Sequence, residues 1–94
     1  MPKISKEFII KNTQGLHARP AALFVQISSK YNSNVTVQKG EERVNGKSIM
    51  GILTLGANKG SKLFIEIDGE DAEQVLKELE DLLNQDHIWW KKPF

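Results

Sequence analysis

Leu63-Phe64-Ile65-Glu66-Ile67-Asp68-Gly69-Glu70-Asp71-Ala72-Glu73-Gln74-Val75-Leu76-Lys77-Glu78-Leu79-Glu80-Asp81-Leu82-Leu83 carries two periodicities in succession. The first six residues alternate, so Leu63, Ile65 and Ile67 share one face of a strand and Phe64 takes the other. After Gly69 the spacing lengthens. Ala72, Val75, Leu76, Leu79, Leu82 and Leu83 repeat at three and four, which predicts a helix with one apolar stripe. Glu70, Asp71 and Glu73 near its start suit the positive end of the helix dipole. A one-faced strand followed by a one-striped helix implies two layers, a sheet with helices laid on it.

The same reading runs upstream. A strand is predicted over 7–11, with Phe8 and Ile10 on one face and Ile9 on the other. Asn12-Thr13-Gln14-Gly15 is a turn cluster. A helix follows over 18–30, its stripe formed by Ala21, Phe24, Val25 and Ser28 and widened by Leu23 and Ile27. Tyr31-Asn32-Ser33-Asn34 breaks it. Strands are predicted over 35–38 and 42–45, joined by the hairpin signal Lys39-Gly40-Glu41. A short helix over 49–55 has Ser48 as its N-cap and Gly56 as its C-terminal stop. The order β-α-β-β-α-β-α, with each helix burying one stripe, predicts an α+β domain: a four-stranded antiparallel sheet with three helices on one face.

Ninety-four residues make one domain, and a chain of this size hides roughly 60–65 % of its unfolded surface. The absence of cysteine excludes disulfides and thiolate zinc sites. The first residues lack an apolar signal core and no apolar run reaches membrane-spanning length, so a cytoplasmic location is expected. A net charge of +1 gives no reason to expect nucleic acid as a partner.

The chemistry is concentrated in Gly15-Leu16-His17-Ala18-Arg19-Pro20-Ala21-Ala22, which joins the first strand to the first helix. His17 falls at the N-cap and Pro20 in the first turn, where a missing N–H costs nothing. A helix start offers unpaired N–H donors and the positive dipole end, a setting for phosphate. A neutral imidazole there is a nucleophile near pH 7. The N–H groups of Ala18 and Arg19 are placed to hold phosphoryl oxygens, and the Arg19 side chain can add a charge-assisted contact. Taken by position alone, such a histidine is more often a plain cap. Gly46-Lys47-Ser48 looks like the end of a nucleotide-binding loop, but the required earlier glycine is missing: position 41 is Glu. His17 and His87 are too few for a metal site.

Three blocks in register identify the chain as a member of a known family. Gly15-Leu16-His17-Ala18-Arg19-Pro20-Ala21, Lys47-Ser48-Ile49-Met50-Gly51-Ile52 and Leu55-Gly56-Ala57-Asn58-Lys59-Gly60 resemble the phosphohistidine motif, the regulatory-serine helix and the following loop of HPr, the histidine-containing phosphocarrier of the bacterial phosphotransferase system. The resemblance covers residues 7–83 and implies an open-faced β-sandwich. It implies a carrier without cofactor or metal rather than an enzyme. His17 would accept phosphate on Nδ1 from phosphorylated enzyme I, with Arg19 beside it, and pass it to a sugar-specific enzyme IIA. Ser48 would be the target of an HPr kinase/phosphorylase, and its phosphate would alter binding to enzyme I and to a catabolite-control transcription factor. Ala22, Ile49, Met50, Gly51 and Ile52 form the expected docking patch. The rivals are a carrier of the nitrogen-related branch and a regulatory binding module of the same fold. The Ser48 block disfavours the first and His17 the second.

The family-like domain is expected to span 1–84. Residues 85–94, Gln-Asp-His-Ile-Trp-Trp-Lys-Lys-Pro-Phe, are a C-terminal extension outside the family pattern. Its fates are disorder, association with another chain, or packing on the domain. The sheet face bearing Phe64 and Ile9 is the surface an indole can cover, which favours packing on the domain over a dimer contact.

Overall fold

The computed structural model describes residues 3–11 and 18–84, the side chains of Ala18 and Arg19 excepted. Four strands and three helices alternate as β1 (Lys3–Ile9), α1 (Ala18–Ser29), β2 (Asn34–Lys39), β3 (Glu42–Asn45), α2 (Ile49–Leu55), β4 (Lys62–Asp68) and α3 (Ala72–Asn84). The strands form one antiparallel sheet in the order β1-β4-β2-β3. The predicted order, sheet and helix count are therefore found, with β3 and α2 ending where the sequence places them.

β4 is central, and alternation sorts its side chains. Leu63, Ile65 and Ile67 are fully buried against the helices, whereas Phe64 on the opposite face is 41 % exposed. Across the ladder Phe8 pairs with Leu63 and Val37 with Ile65. These side chains join Phe24 of α1, Ile52 and Leu55 of α2, and Val75, Leu79 and Leu83 of α3 in one core. In α1, Ala21, Phe24 and Ser28 are buried but Val25 is only partly so, and Leu76 of α3 is likewise half-buried.

The main difference from expectation is β1. It runs over Lys3–Ile9, not 7–11. Its first half is held by the backbone ladder to β4, in which Lys3 pairs with Asp68 and Ile4 with Ile67. Lys6 points to the helix layer, where its amine stands over the Phe8 ring, 5.5 Å from the ring centre, and pairs with Glu80 of α3. Ile10 is beyond the strand yet buried, tied to the β4 approach by bonds from its N–H to Ser61 O (2.9 Å) and from Gly60 N–H to its own carbonyl (2.8 Å).

A polar clasp closes the other end of the molecule. Asp71, just before α3, accepts from the N–H groups of Asn32 and Ser33, both at 3.1 Å, and from the Ser33 hydroxyl. Gly69 makes this possible, because a Cβ there would meet the Ser33 backbone at 2.7 Å. Glu78 of α3 ties down the end of α1 through Lys30 (2.6 Å) and the Tyr31 hydroxyl.

Candidate functional site

α1 and α2 pack against each other. The start of α1 at Ala18 agrees with the sequence reading, and Pro20, third in the helix, is buried. An α-helix leaves its first N–H groups unbonded, so Ala18 and Arg19 contribute backbone donors at this end while Pro20 contributes none. His17 precedes the first helical residue and lies outside the described residues, as does the Arg19 side chain.

α2 is positioned by its approach. The N–H of Gly46 donates to Val35 O at 2.7 Å, an approach so close that a Cβ on Gly46 would stand 2.9 Å from Val35 Cβ and nearer still to Cγ1. Asn45 then turns the chain: its side-chain oxygen accepts from the N–H of Lys47 (2.9 Å) and its carbonyl from that of Ser48 (3.0 Å). The Lys47 amine is committed to Tyr31 O at 2.7 Å. Ser48 is the N-cap. Its backbone is extended (φ −109°, ψ 115°) and its hydroxyl accepts from Gly51 N–H at 3.1 Å. Gly51 fits closely, since a Cβ there would lie 3.1 Å from Val44 Cβ and 3.4 Å from the Ser48 hydroxyl. Gly56 ends the helix in the left-handed region (φ +59°), and the Lys39 amine donates to the carbonyls of Leu55 and Gly56.

The surface of α2 departs from the expected docking patch at one residue. Ile49 and Met50 are exposed, Met50 by 70 %, and Ala22 and Gly51 are half-buried. Ile52 is fully buried and supports the helix from beneath, because four positions after the cap it faces the sheet. Leu53, 38 % exposed, takes the surface position instead. Its spacing of four from Ile49 was the sequence signal for it. Ser48, Ile49, Met50 and Leu53 therefore form a polar cap beside an apolar patch on one short helix.

The Ser33 hydroxyl, with help from two backbone N–H groups, holds the Asp71 carboxyl below the ordinary carboxylate range. No group of three or more metal-ligating side chains occurs among the described residues, and no described helix is long and apolar enough to cross a membrane.

The family described as the PTS HPr component phosphorylation site matches residues 4–85. The chain belongs to the HPr family. The phosphocarrier protein HPr of Neisseria meningitidis serogroup A is 46 % identical over 84 residues, 89 % of this chain and 92 % of that one. Among solved structures, HPr of Bacillus anthracis superposes with a TM-score of 0.84 at 38 % identity, covering 87 % of this chain and 98 % of the other. HPr-C-His of Thermoanaerobacter tengcongensis gives 0.78 at 48 % identity, covering 88 % and 91 %. The open-faced arrangement of four strands and three helices is thus the HPr fold. Like its HPr relatives, the chain is a phosphocarrier of the phosphotransferase system, a protein that carries a group rather than an enzyme.

Proposed function

We propose that His17 is the residue that carries the phosphoryl group, taken from phosphorylated enzyme I and given to a sugar-specific enzyme IIA. The observation that carries this reading is the family's phosphorylation-site match across residues 4–85 together with a helix that begins immediately after His17. The Nδ1 lone pair of the neutral ring attacks phosphorus as the bond to the donor breaks. In the second step the N–P bond breaks as the acceptor attacks. Such a transfer asks mainly for in-line placement and charge stabilisation. The N–H groups of Ala18 and Arg19 meet the phosphoryl oxygens, and the Arg19 guanidinium adds a contact that can swing away. A shallow site of this kind suits a group that must leave again.

Ser48 is the second modification site, the target of an HPr kinase/phosphorylase. Phosphate there adds roughly −1.5 to −2 charge to a residue flanked by Ile49, Met50 and Leu53, the apolar patch on which enzyme I docks. The modification weakens that docking and favours a catabolite-control transcription factor. Residues 1–84 form the carrier domain in this reading, and residues 85–94 an appended segment.

The test is a reconstituted relay. With enzyme I and phosphoenolpyruvate the chain becomes labelled, and adding enzyme IIA drains the label. Arg19→Ala slows transfer without loss of fold, and Ser48→Asp slows loading by enzyme I. Unchanged rates in both variants would remove Arg19 and Ser48 from the account, and label that enzyme IIA fails to drain would remove the sugar branch.

A further inference from the structure

Six asparagines stand in the chain, and Asn45 alone precedes a glycine; the others precede Thr13, Ser33, Val35, Lys59 and Gln85. Asparagine is a chemically labile residue, because the backbone nitrogen that follows it can attack its side-chain carbonyl. A glycine in the following position leaves that approach unobstructed, since it has no Cβ.

The same pair joins β3 to α2. Asn45, the last residue of β3, is exposed, and Gly46 is buried. Both groups that would react are already engaged. The Gly46 N–H donates to Val35 O at 2.7 Å, and the Asn45 side-chain oxygen accepts from Lys47 N–H at 2.9 Å. A third bond, from Ser48 N–H to Asn45 O at 3.0 Å, closes the turn. The Lys47 amine, on Tyr31 O at 2.7 Å, moors the turn to the end of α1. Val35 is 2 % exposed, so the Gly46 proton sits where solvent base does not reach it.

We propose that Asn45–Gly46 is a self-modification site that the fold keeps shut, and that it deamidates only when the turn opens and the Gly46–Val35 bond breaks. In the open state the Gly46 nitrogen bonds to Asn45 Cγ. The bond from Cγ to the side-chain amide nitrogen breaks, and ammonia departs with the Gly46 proton, leaving a cyclic imide. Water then opens the imide at one carbonyl or the other, giving aspartate at position 45 or its β-linked isomer. Water enters and ammonia leaves, with no other reactant. Aspartate keeps an oxygen for Lys47 N–H and adds a negative charge three residues before Ser48. The β-linked isomer adds a methylene to the main chain, so Gly46 cannot keep Val35 O while Ser48 keeps its capping bond to Gly51 N–H. The site therefore controls how α2 and its cap are seated. Asp68–Gly69 can form the same imide, but it loses water rather than ammonia, so mass separates the two.

The test follows the full chain at neutral pH, native and in urea, by peptide mapping with mass detection, alongside hydrogen exchange of the Gly46 amide. In urea Asn45 is expected to convert first among the six asparagines. In the native chain its conversion slows by about tenfold or more, an opening free energy of at least about 1.4 kcal/mol. The Gly46 amide is protected from exchange by the same factor, because one bond gates both reactions. Lys47→Met removes the mooring to Tyr31 O without touching the reacting atoms and raises both rates together. A native conversion rate equal to that in urea, Gly46 protection that differs from the slowing of conversion, or a Lys47→Met chain in which both rates are unchanged would each overturn the proposal.

Discussion

Gly46→Ala tests whether the position of Ser48 is set by a close backbone approach. The glycine carries no unusual dihedral, so only space is at issue. Its Cβ would stand 2.9 Å from Val35 Cβ and 3.2 Å from Val35 O, with Cγ1 closer than either. Val35 is 2 % exposed and packed in the core, and its carbonyl holds Gly46 N–H at 2.7 Å, so neither partner is free to yield. Overpacking of this kind costs about 1–3 kcal/mol. For a domain of this size each kcal/mol lowers the melting temperature by roughly 4–8 °C. The assay is thermal and urea unfolding of four proteins: wild type, Gly46→Ala, Val35→Ala and the double variant. Val35→Ala removes Cγ1 but leaves Cβ, so the double variant should be less destabilised than the sum, with partial rescue. A cost below about 0.5 kcal/mol for Gly46→Ala, the range of ordinary surface changes, or strict additivity with Val35→Ala, would refute the packing argument.

Three further outcomes are expected. Ser28 is fully buried and its hydroxyl has no partner among the described residues, so Ser28→Ala should raise the unfolding free energy by about 0.5–2 kcal/mol; a loss in urea titration would show that the hydroxyl is satisfied. Ile52→Ala should cost about 2–5 kcal/mol as a core truncation, whereas Met50→Ala should change stability by less than about 0.5 kcal/mol and weaken enzyme I binding instead. Equal stability losses in the two variants would contradict their assignment to core and surface. Asp71 has a folded pKa below its unfolded one, so its contribution is complete above the unfolded value and is lost as pH falls through the folded value. The melting temperature should therefore drop on acidification in that window, and Asp71→Asn should flatten the drop; the same acid slope in both proteins would exclude the clasp as its source.

What the sequence disclosed and what it hid follow from range. Alternation in β4 and the three-four spacing of α3 depend on neighbours within a few residues, and both elements fold as read. The same is true of α2, whose cap, glycine stop and length are all local. The first half of β1 was illegible because Lys3-Ile4-Ser5-Lys6 is mostly polar; it is a strand through pairing with β4, some sixty residues away. The Asp71–Ser33 clasp spans 38 residues in sequence and leaves no local trace. Nearness to Ser48 in sequence suggests the docking surface for Ile52, but helical phase decides otherwise: a four-residue step from the cap turns it to the sheet and brings Leu53 outward. At the site, the start of α1 and the Ser48 cap were readable from Pro20 and from the capping residue, whereas His17 lies outside the described residues and its chemistry rests on motif and family.

Phosphorus magnetic resonance of the chain after incubation with enzyme I and phosphoenolpyruvate addresses the carrier chemistry most directly. The account predicts one acid-labile phosphoramidate resonance, assigned to Nδ1 of His17 and lost in His17→Ala. No phosphoramidate, or one that persists in His17→Ala, would contradict it.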